Sequence, residues 1–366
     1  MVTFLKHGPG NPRNSEGAFV QLKDGAIYLV YTRYCGDSHH DHASADLYGM
    51  ISKDGGRTWE STGTVIKNDS LNVMSVSLLR LQDGRIAMVY LRKSPVGDTN
   101  YVDCRPMICF SSDEAETWSV AFPVTQVPPA YMTVNNDRLV QLSNGRLIIP
   151  TGFFRYRENG SFDRGIGMFF LSDDGGMTWR QSRMCCYPPA WLDSGLEEPG
   201  VIELKDSRLM GWFRTGGGCQ YKTFSNDGGE TWTDPVPASE FSSPRSPLSM
   251  KRNPQTGELF AVWNDYDPLF SMPFDKFRTS RTPLVIARSQ DEGKTWTGKT
   301  SLENSPVHGY AYTAMLFNGD DLLLEYCCGG GDDSSSMLQN SKINVGYPFE
   351  HIHRKSDLIY QANRHL

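Results

Sequence analysis

No apolar run in this 366-residue sequence approaches the roughly 18 residues needed to carry a helix across a membrane. No basic run occurs either. The 36 Lys and Arg stand against 42 Asp and Glu, a net charge of −6. With no basic stripe, nucleic acid is excluded as an expected partner. Cys-x-x-Cys spacing is also missing. The eight cysteines include the adjacent pairs Cys185-Cys186 and Cys327-Cys328, and adjacent cysteines rarely bridge, so free buried thiols are expected. His39-His40-Asp41-His42 has no second ligand cluster to complete it, so neither a metal nor a cofactor is expected. The opening Met1-Val-Thr-Phe-Leu-Lys lacks the apolar core of a signal peptide. As it stands the chain reads as cytoplasmic, or as secreted or periplasmic if a signal has been removed.

What the sequence does have is repetition. The phrase Ser-x-Asp-x-Gly-x-Thr-Trp begins at Ser52, Ser172, Ser225 and Ser289, with a degraded copy at Ser111 that carries Ala115 in the Gly position. The spacing between copies runs from 53 to 64 residues, the length of a stacking supersecondary unit. Each box has the chemistry of a tight turn. Gly supplies a positive-φ position, Asp accepts from nearby N–H groups, and Ser and Thr add local bonds. The Trp then buries a large ring between neighbouring sheets. A structural role is expected for these aspartates, not a catalytic or calcium-binding one.

A second repeat keeps step with the first. Leu22-Lys-Asp-Gly25, Leu81-Gln-Asp-Gly84, Leu142-Ser-Asn-Gly145 and Leu204-Lys-Asp-Ser207 each separate two β-rich apolar runs, a hairpin signature. Asn253 to Gly257 and Phe317-Asn-Gly319-Asp are looser versions. From Gly25 to Ser52, Gly84 to Ser111 and Gly145 to Ser172 the interval is 27 residues each time. Six hairpins, five followed by a box, predict an all-β chain: a six-bladed β-propeller of four-stranded antiparallel blades, one domain over residues 1–366. Hairpin and box turns fall on one face of such a ring. Blade-specific chemistry then belongs on the opposite face, where the loops are irregular.

That face collects Arg13, Glu16 and the loop from Asp37 to His42; Asn135 to Arg138, with Arg155, Arg157 and Arg164; Glu197, Glu198 and Arg214; Arg245, Asp265, Asp267, Arg278 and Arg281; and His308, Tyr310 and Tyr312. Arginines converging near an axis would suit an anion, because a guanidinium fork matches a carboxylate bidentately. Tyr310 and Tyr312 share one side of a strand by period two, so the sequence leaves the choice between them open.

With its boxes on six units, the chain resembles the sialidase (neuraminidase) superfamily. Glu198 and, 16 residues later, Arg214 match the segment carrying the nucleophile-activating Glu and the second arginine of that family's triad. Arg281 matches the third arginine, eight residues before the Ser289 box, and Tyr310-Ala-Tyr312 matches the strand of the nucleophilic Tyr. Asn11-Pro-Arg13-Asn-Ser-Glu16 replaces the opening Arg-Ile-Pro-like phrase, with Arg13 about two residues early and Glu16 nearly in the arginine slot. The departure implies a divergent branch.

The resemblance implies an exo-acting retaining glycoside hydrolase that releases terminal sialic acid, or a related acidic sugar, from glycans. Its implied parts are Tyr310 or Tyr312 with Glu198 as the nucleophile pair and Asp41 as acid/base, with Asp46 and Asp37 as alternatives to Asp41. Arg13, Arg214 and Arg281 form the implied carboxylate clamp, and Glu16, Arg138 and Asp46 are further substrate-binding candidates. A tyrosine oxygen suits this substrate because a carboxylate nucleophile would be repelled by the sugar's own carboxylate. The rival expectations are a glycosidase or lyase acting on another acidic sugar, and a non-catalytic carbohydrate-binding propeller.

Overall fold

The computed structural model describes residues 2–127, 129–266, 281–305, 308–330 and 333–344. Asp267 and Arg278 lie outside the described residues. All regular structure among those residues is β-strand, and no helix is long and apolar enough to cross a membrane.

The strands form antiparallel meanders. One sheet runs through Asn14–Gln21, Ile27–Tyr34, Ala45–Ser52 and Glu60–Ile66. Glu197–Glu203, Leu209–Arg214, Cys219–Ser225 and Val236–Ser242 form another, and Ser249–Arg252, Leu259–Asn264, Leu284–Ser289 and Thr297–Glu303 a third. In the last sheet the meander Gly309–Asn318, Asp321–Gly330 and Asp333–Asn344 receives its outer strand, Val2–Leu5, from the other end of the chain.

The second and third units depart from the expectation of separate four-stranded blades. They share one nine-stranded sheet. The reason is local. Tyr131–Thr133 is only three residues long and pairs in parallel with Val102–Ser111 at Tyr131 and Cys104, while the Cys104 amide donates to the Ala130 carbonyl at 2.9 Å.

Period-two alternation buries both faces of each sheet. Ile27, Leu29 and Tyr31 join Phe19, Ala314, Leu323 and Cys327 in a core shared by the first and last sheets. Tyr28 and Val30 face the other way, into a core with Val76, Leu78, Ile86 and Met88. Four further clusters link the remaining units in chain order. All eight cysteines are free.

The boxes close the outer turns. Asp54 Oδ1 accepts from the Arg57 and Thr58 amides at 2.9 Å each and from Ser52 Oγ at 2.9 Å, while Oδ2 takes Thr58 Oγ1 at 2.6 Å. The same four bonds recur at Asp174, at 2.6 to 3.0 Å. Gly56 has φ +85°, and a Cβ there would lie 2.5 Å from Leu323 in the neighbouring sheet. Trp232 stacks on Phe169 of the preceding unit with centroids 4.0 Å apart.

Candidate active site

The ends of the innermost strands opposite the boxes are irregular in the same way in four units. Register slips between Ser15 and Ala18, Met74 and Ser77, Glu197 and Gly200, and Ala311 and Ala314. These are β-bulges, and each contains a non-glycine residue in the left-handed region: Glu16 (φ 48°), Ser75 (57°), Glu198 (40°) and Tyr312 (62°). Asp137 (57°) holds that conformation in the third unit. Left-handed backbone at Glu, Ser or Tyr costs about 1–2 kcal/mol per residue, so surrounding contacts must enforce it. They are visible. Asn136 Nδ2 donates to the carbonyls of Gly17 (2.7 Å) and Tyr312 (2.9 Å), tying two bulges together. After Glu198 the chain needs a glycine for close approach, since a Cβ on Gly200 would sit 2.1 Å from the Trp212 ring.

The bulges bring three of the expected residues together. Arg214 Nη1 donates to Glu198 Oε1 at 2.7 Å and lies 3.4 Å from the Tyr312 hydroxyl, which is 3.5 Å from the same carboxylate oxygen. The Arg281 guanidinium lies 5.1 Å from the centre of the Tyr312 ring. Glu198 Oε2 is buried and has no hydrogen-bond partner among the described residues. Burial, then the Glu198 charge, raises the Tyr312 pKa, while Arg281 and Arg214 oppose the rise. Glu197 lies beside this group, held by Arg245 through both carboxylate oxygens and 3.5 Å from Arg214 Nε.

A second group adjoins the first. Arg13 donates to Asp41 at 2.5 Å, reaches Ser15 Oγ at 3.2 Å, and stands 3.9 Å from Glu16. Asp41 is on the open rim, with 63% of its side chain exposed. Water displaced by the protein around its carboxylate works against ionisation, but Arg13, Lys93 and His42 outweigh that and lower its pKa. Glu16 is enclosed and takes a short hydrogen bond from Ser75. Burial pushes its pKa up to about 7, with help from the Glu198 and Asp41 charges and against Arg13 and Ser75.

The remaining candidates stand elsewhere. Tyr310 packs into the core shared by the sheet of Ser249–Arg252 and the last sheet, 6.2 Å from the Tyr326 ring. The period-two expectation for Tyr310 and Tyr312 is therefore corrected: the bulge after Ala311 turns only Tyr312 toward Glu198. Asp46 is engaged by Lys67 at 2.7 Å and the Asn68 amide at 2.9 Å, and Asp37 is exposed on the blade-one loop. Arg138 is buried as a tie between units. It donates to the Leu248 carbonyl at 2.6 Å and faces Trp212, and burial lowers its pKa to about 10. Among the described residues no group of three His, Cys, Asp or Glu is placed to hold a metal. Sequence reasoning missed Ser75 and the bulges; Gly17 lies inside one bulge and Gly200 directly follows another, but neither marks the left-handed residue beside it.

The sequence profile of the BNR repeat-like domain matches residues 65–324, and the chain belongs to that family. It is 27% identical over 240 residues to the anhydrosialidase of the leech Macrobdella decora. That alignment covers 59% of this chain but only 28% of the leech protein. Among solved structures it superposes on a protein of unknown function from Dyadobacter fermentans with TM-score 0.75 and 16% identity, covering 94% of this chain and 98% of that one. It also superposes on the Trypanosoma rangeli sialidase in its covalent-intermediate complex with difluorosialic acid, with TM-score 0.71 and 15% identity over 100% of this chain and 62% of that one. The fold is thus the β-propeller-like one of the sialidases.

Proposed function

We propose that this chain is an exo-acting retaining glycoside hydrolase that removes a terminal sialic acid, built as a closed six-bladed propeller. The six cores shared between consecutive units, the last joining first to sixth, support the ring. The observation that carries the function is the convergence of Tyr312 and Glu198, each on a bulge, with Arg214 from the end of the strand paired to Glu197.

In this reading the substrate carboxylate binds Arg214, Arg281 and Arg13. The raised pKa keeps Tyr312 neutral, so it approaches a carboxylate-bearing carbon without repulsion. Its oxygen bonds to the anomeric carbon as its proton passes to Glu198, and the bond to the leaving oxygen breaks. Asp41 gives that oxygen a proton. A substrate anion on Arg13 withdraws the cation that holds Asp41 ionised, which readies it as an acid. Water, activated by Asp41, then attacks the glycosyl-tyrosine, and Glu198 returns the proton to Tyr312. Configuration is retained.

The test is trapping of a glycosyl-enzyme with a fluorinated sialoside, read by intact mass. Tyr310→Phe should still be labelled and Tyr312→Phe should not. Labelling of Tyr312→Phe would overturn the assignment. Glu16 favours a second reading, another acidic sugar as substrate: a carboxyl group stands where a clamp cation is expected, 3.9 Å from Arg13. A panel of sialic, ulosonic and uronic acid glycosides, scored by released reducing sugar, separates the two.

A further inference from the structure

Beside Asp41 lies an aromatic assembly that the mechanism above does not use. Lys93 Nζ donates to the Asp41 carbonyl at 2.6 Å and lies 5.7 Å from the Tyr131 ring centre, and the His42 ring meets Tyr131 edge-on at 6.1 Å. Phe162 packs on Tyr131 (4.6 Å), Tyr156 (4.8 Å) and Phe154 (5.8 Å), and Tyr101 stacks on Tyr156 at 4.5 Å. The assembly is held rigidly. The Tyr156 hydroxyl accepts from the Val102 amide and donates to the Val102 carbonyl, both at 2.9 Å. Phe162 sits on a small hairpin, bridged to Tyr156, in which the Arg157 amide donates to the Ser161 carbonyl at 2.8 Å. Yet Phe162 is 40% exposed.

A large aromatic that is locked in place and still presented to solvent is preorganised for a partner with an apolar face. The arginines of the hairpin, Arg155 and Arg157, both turn to Asp163, at 3.9 and 3.1 Å, so the platform offers ring surface more than charge. Its position names the partner. An acid that protonates a leaving oxygen must have the departing sugar next to it, and the aromatic wall begins at that acid's own backbone and at His42.

We propose that Phe162, backed by Tyr131 and Tyr156, is the stacking platform of a leaving-group subsite that takes the C–H face of a neutral hexopyranose. This rests on the reading of Asp41 as the acid. The platform adds what that reading lacks, a preference for what lies beyond the scissile bond.

The experiment compares sialyllactose with methyl sialoside on the wild type, Phe162→Ala and Phe162→Trp, with thermal melting as the control for folding. Phe162→Ala should raise the KM for sialyllactose relative to methyl sialoside by about tenfold, the scale of one lost aromatic contact, and Phe162→Trp should restore the ratio. An unchanged ratio overturns the proposal. Free lactose titrated against the same proteins by saturation-transfer NMR gives a readout that needs no turnover. If the wild type cleaves neither substrate, the proposed hydrolase fails, but lactose binding that weakens in Phe162→Ala still supports the platform. Absent or unaltered lactose binding overturns it.

Discussion

The two ends of the same strands treat their carboxylates in opposite ways. At the box end, each aspartate is wrapped by hydroxyl and amide donors. The Thr295 hydroxyl and amide lead in holding the Asp291 carboxyl down at about 2, and its exposure to water makes the arrangement undemanding. At the bulge end, carboxylates are enclosed and meet arginines, other carboxylates or, as at Glu198 Oε2, no partner among the described residues. Burial holds Glu16 up at about 7. One end repeats a solution five times. The other holds five residues of four kinds, Glu16, Ser75, Asp137, Glu198 and Tyr312, in one strained conformation. Satisfied groups build the scaffold, and frustrated ones are available for chemistry.

The sharpest way to break this contrast is at Arg214. Arg214→Ala removes the partner of Glu198 and a proposed clamp member, and kcat/KM on a sialoside should fall by about a thousandfold. A loss under tenfold in steady-state assays would place Arg214 outside the reaction.

Glu16 comes next, through pH. Its folded pKa of about 7 lies above the ordinary 4.5, so the folded state holds the extra proton between those values. Its stability contribution is fully present below pH 4.5 and is lost as pH rises toward 7, by about 3 kcal/mol at most. Glu16→Gln should therefore gain stability over the wild type at pH 8 and little at pH 4.5, by urea denaturation at both. The buried Glu325, also raised by desolvation, acts in the same direction and leaves a residual slope.

A box aspartate should behave differently. Asp174→Ala should cost about 2 kcal/mol in stability while leaving kcat/KM intact at a temperature where the variant is folded. Loss of turnover without loss of stability would reverse the division between the two ends. The smallest effect belongs to the degraded box, where Ala115 is left-handed at φ 69°. Ala115→Gly should gain about 1 kcal/mol, seen as a modest rise in Tm.

What was legible in the sequence follows the same division. Boxes and hairpins are local, with Asp, Gly and Trp a few residues apart, so their turns are written in the chain. The meeting of Glu198 with Arg214 was legible through the resemblance to the sialidase segment, whose 16-residue spacing spans one hairpin. The bulges were not, because nothing in Ser-Glu-Gly or Tyr-Thr-Ala announces a left-handed residue, and one slip of register undoes period-two reasoning. Tyr310 and Tyr312 show the cost of that slip. The burial of Arg138 under Leu248, and the parallel pairing of Tyr131 with Cys104, depend on contacts between units that no local pattern encodes.

The pairing of Val2–Leu5 with Asp333–Asn344 has a kinetic consequence. Val2 pairs with Ser341, so the final sheet cannot finish its hydrogen bonding until two segments far apart in the sequence meet. Such a long-range contact is slow to form. Until it forms, the waiting edge of the last sheet is open to strands of other molecules, and assembly at high concentration becomes a contest between closure and aggregation.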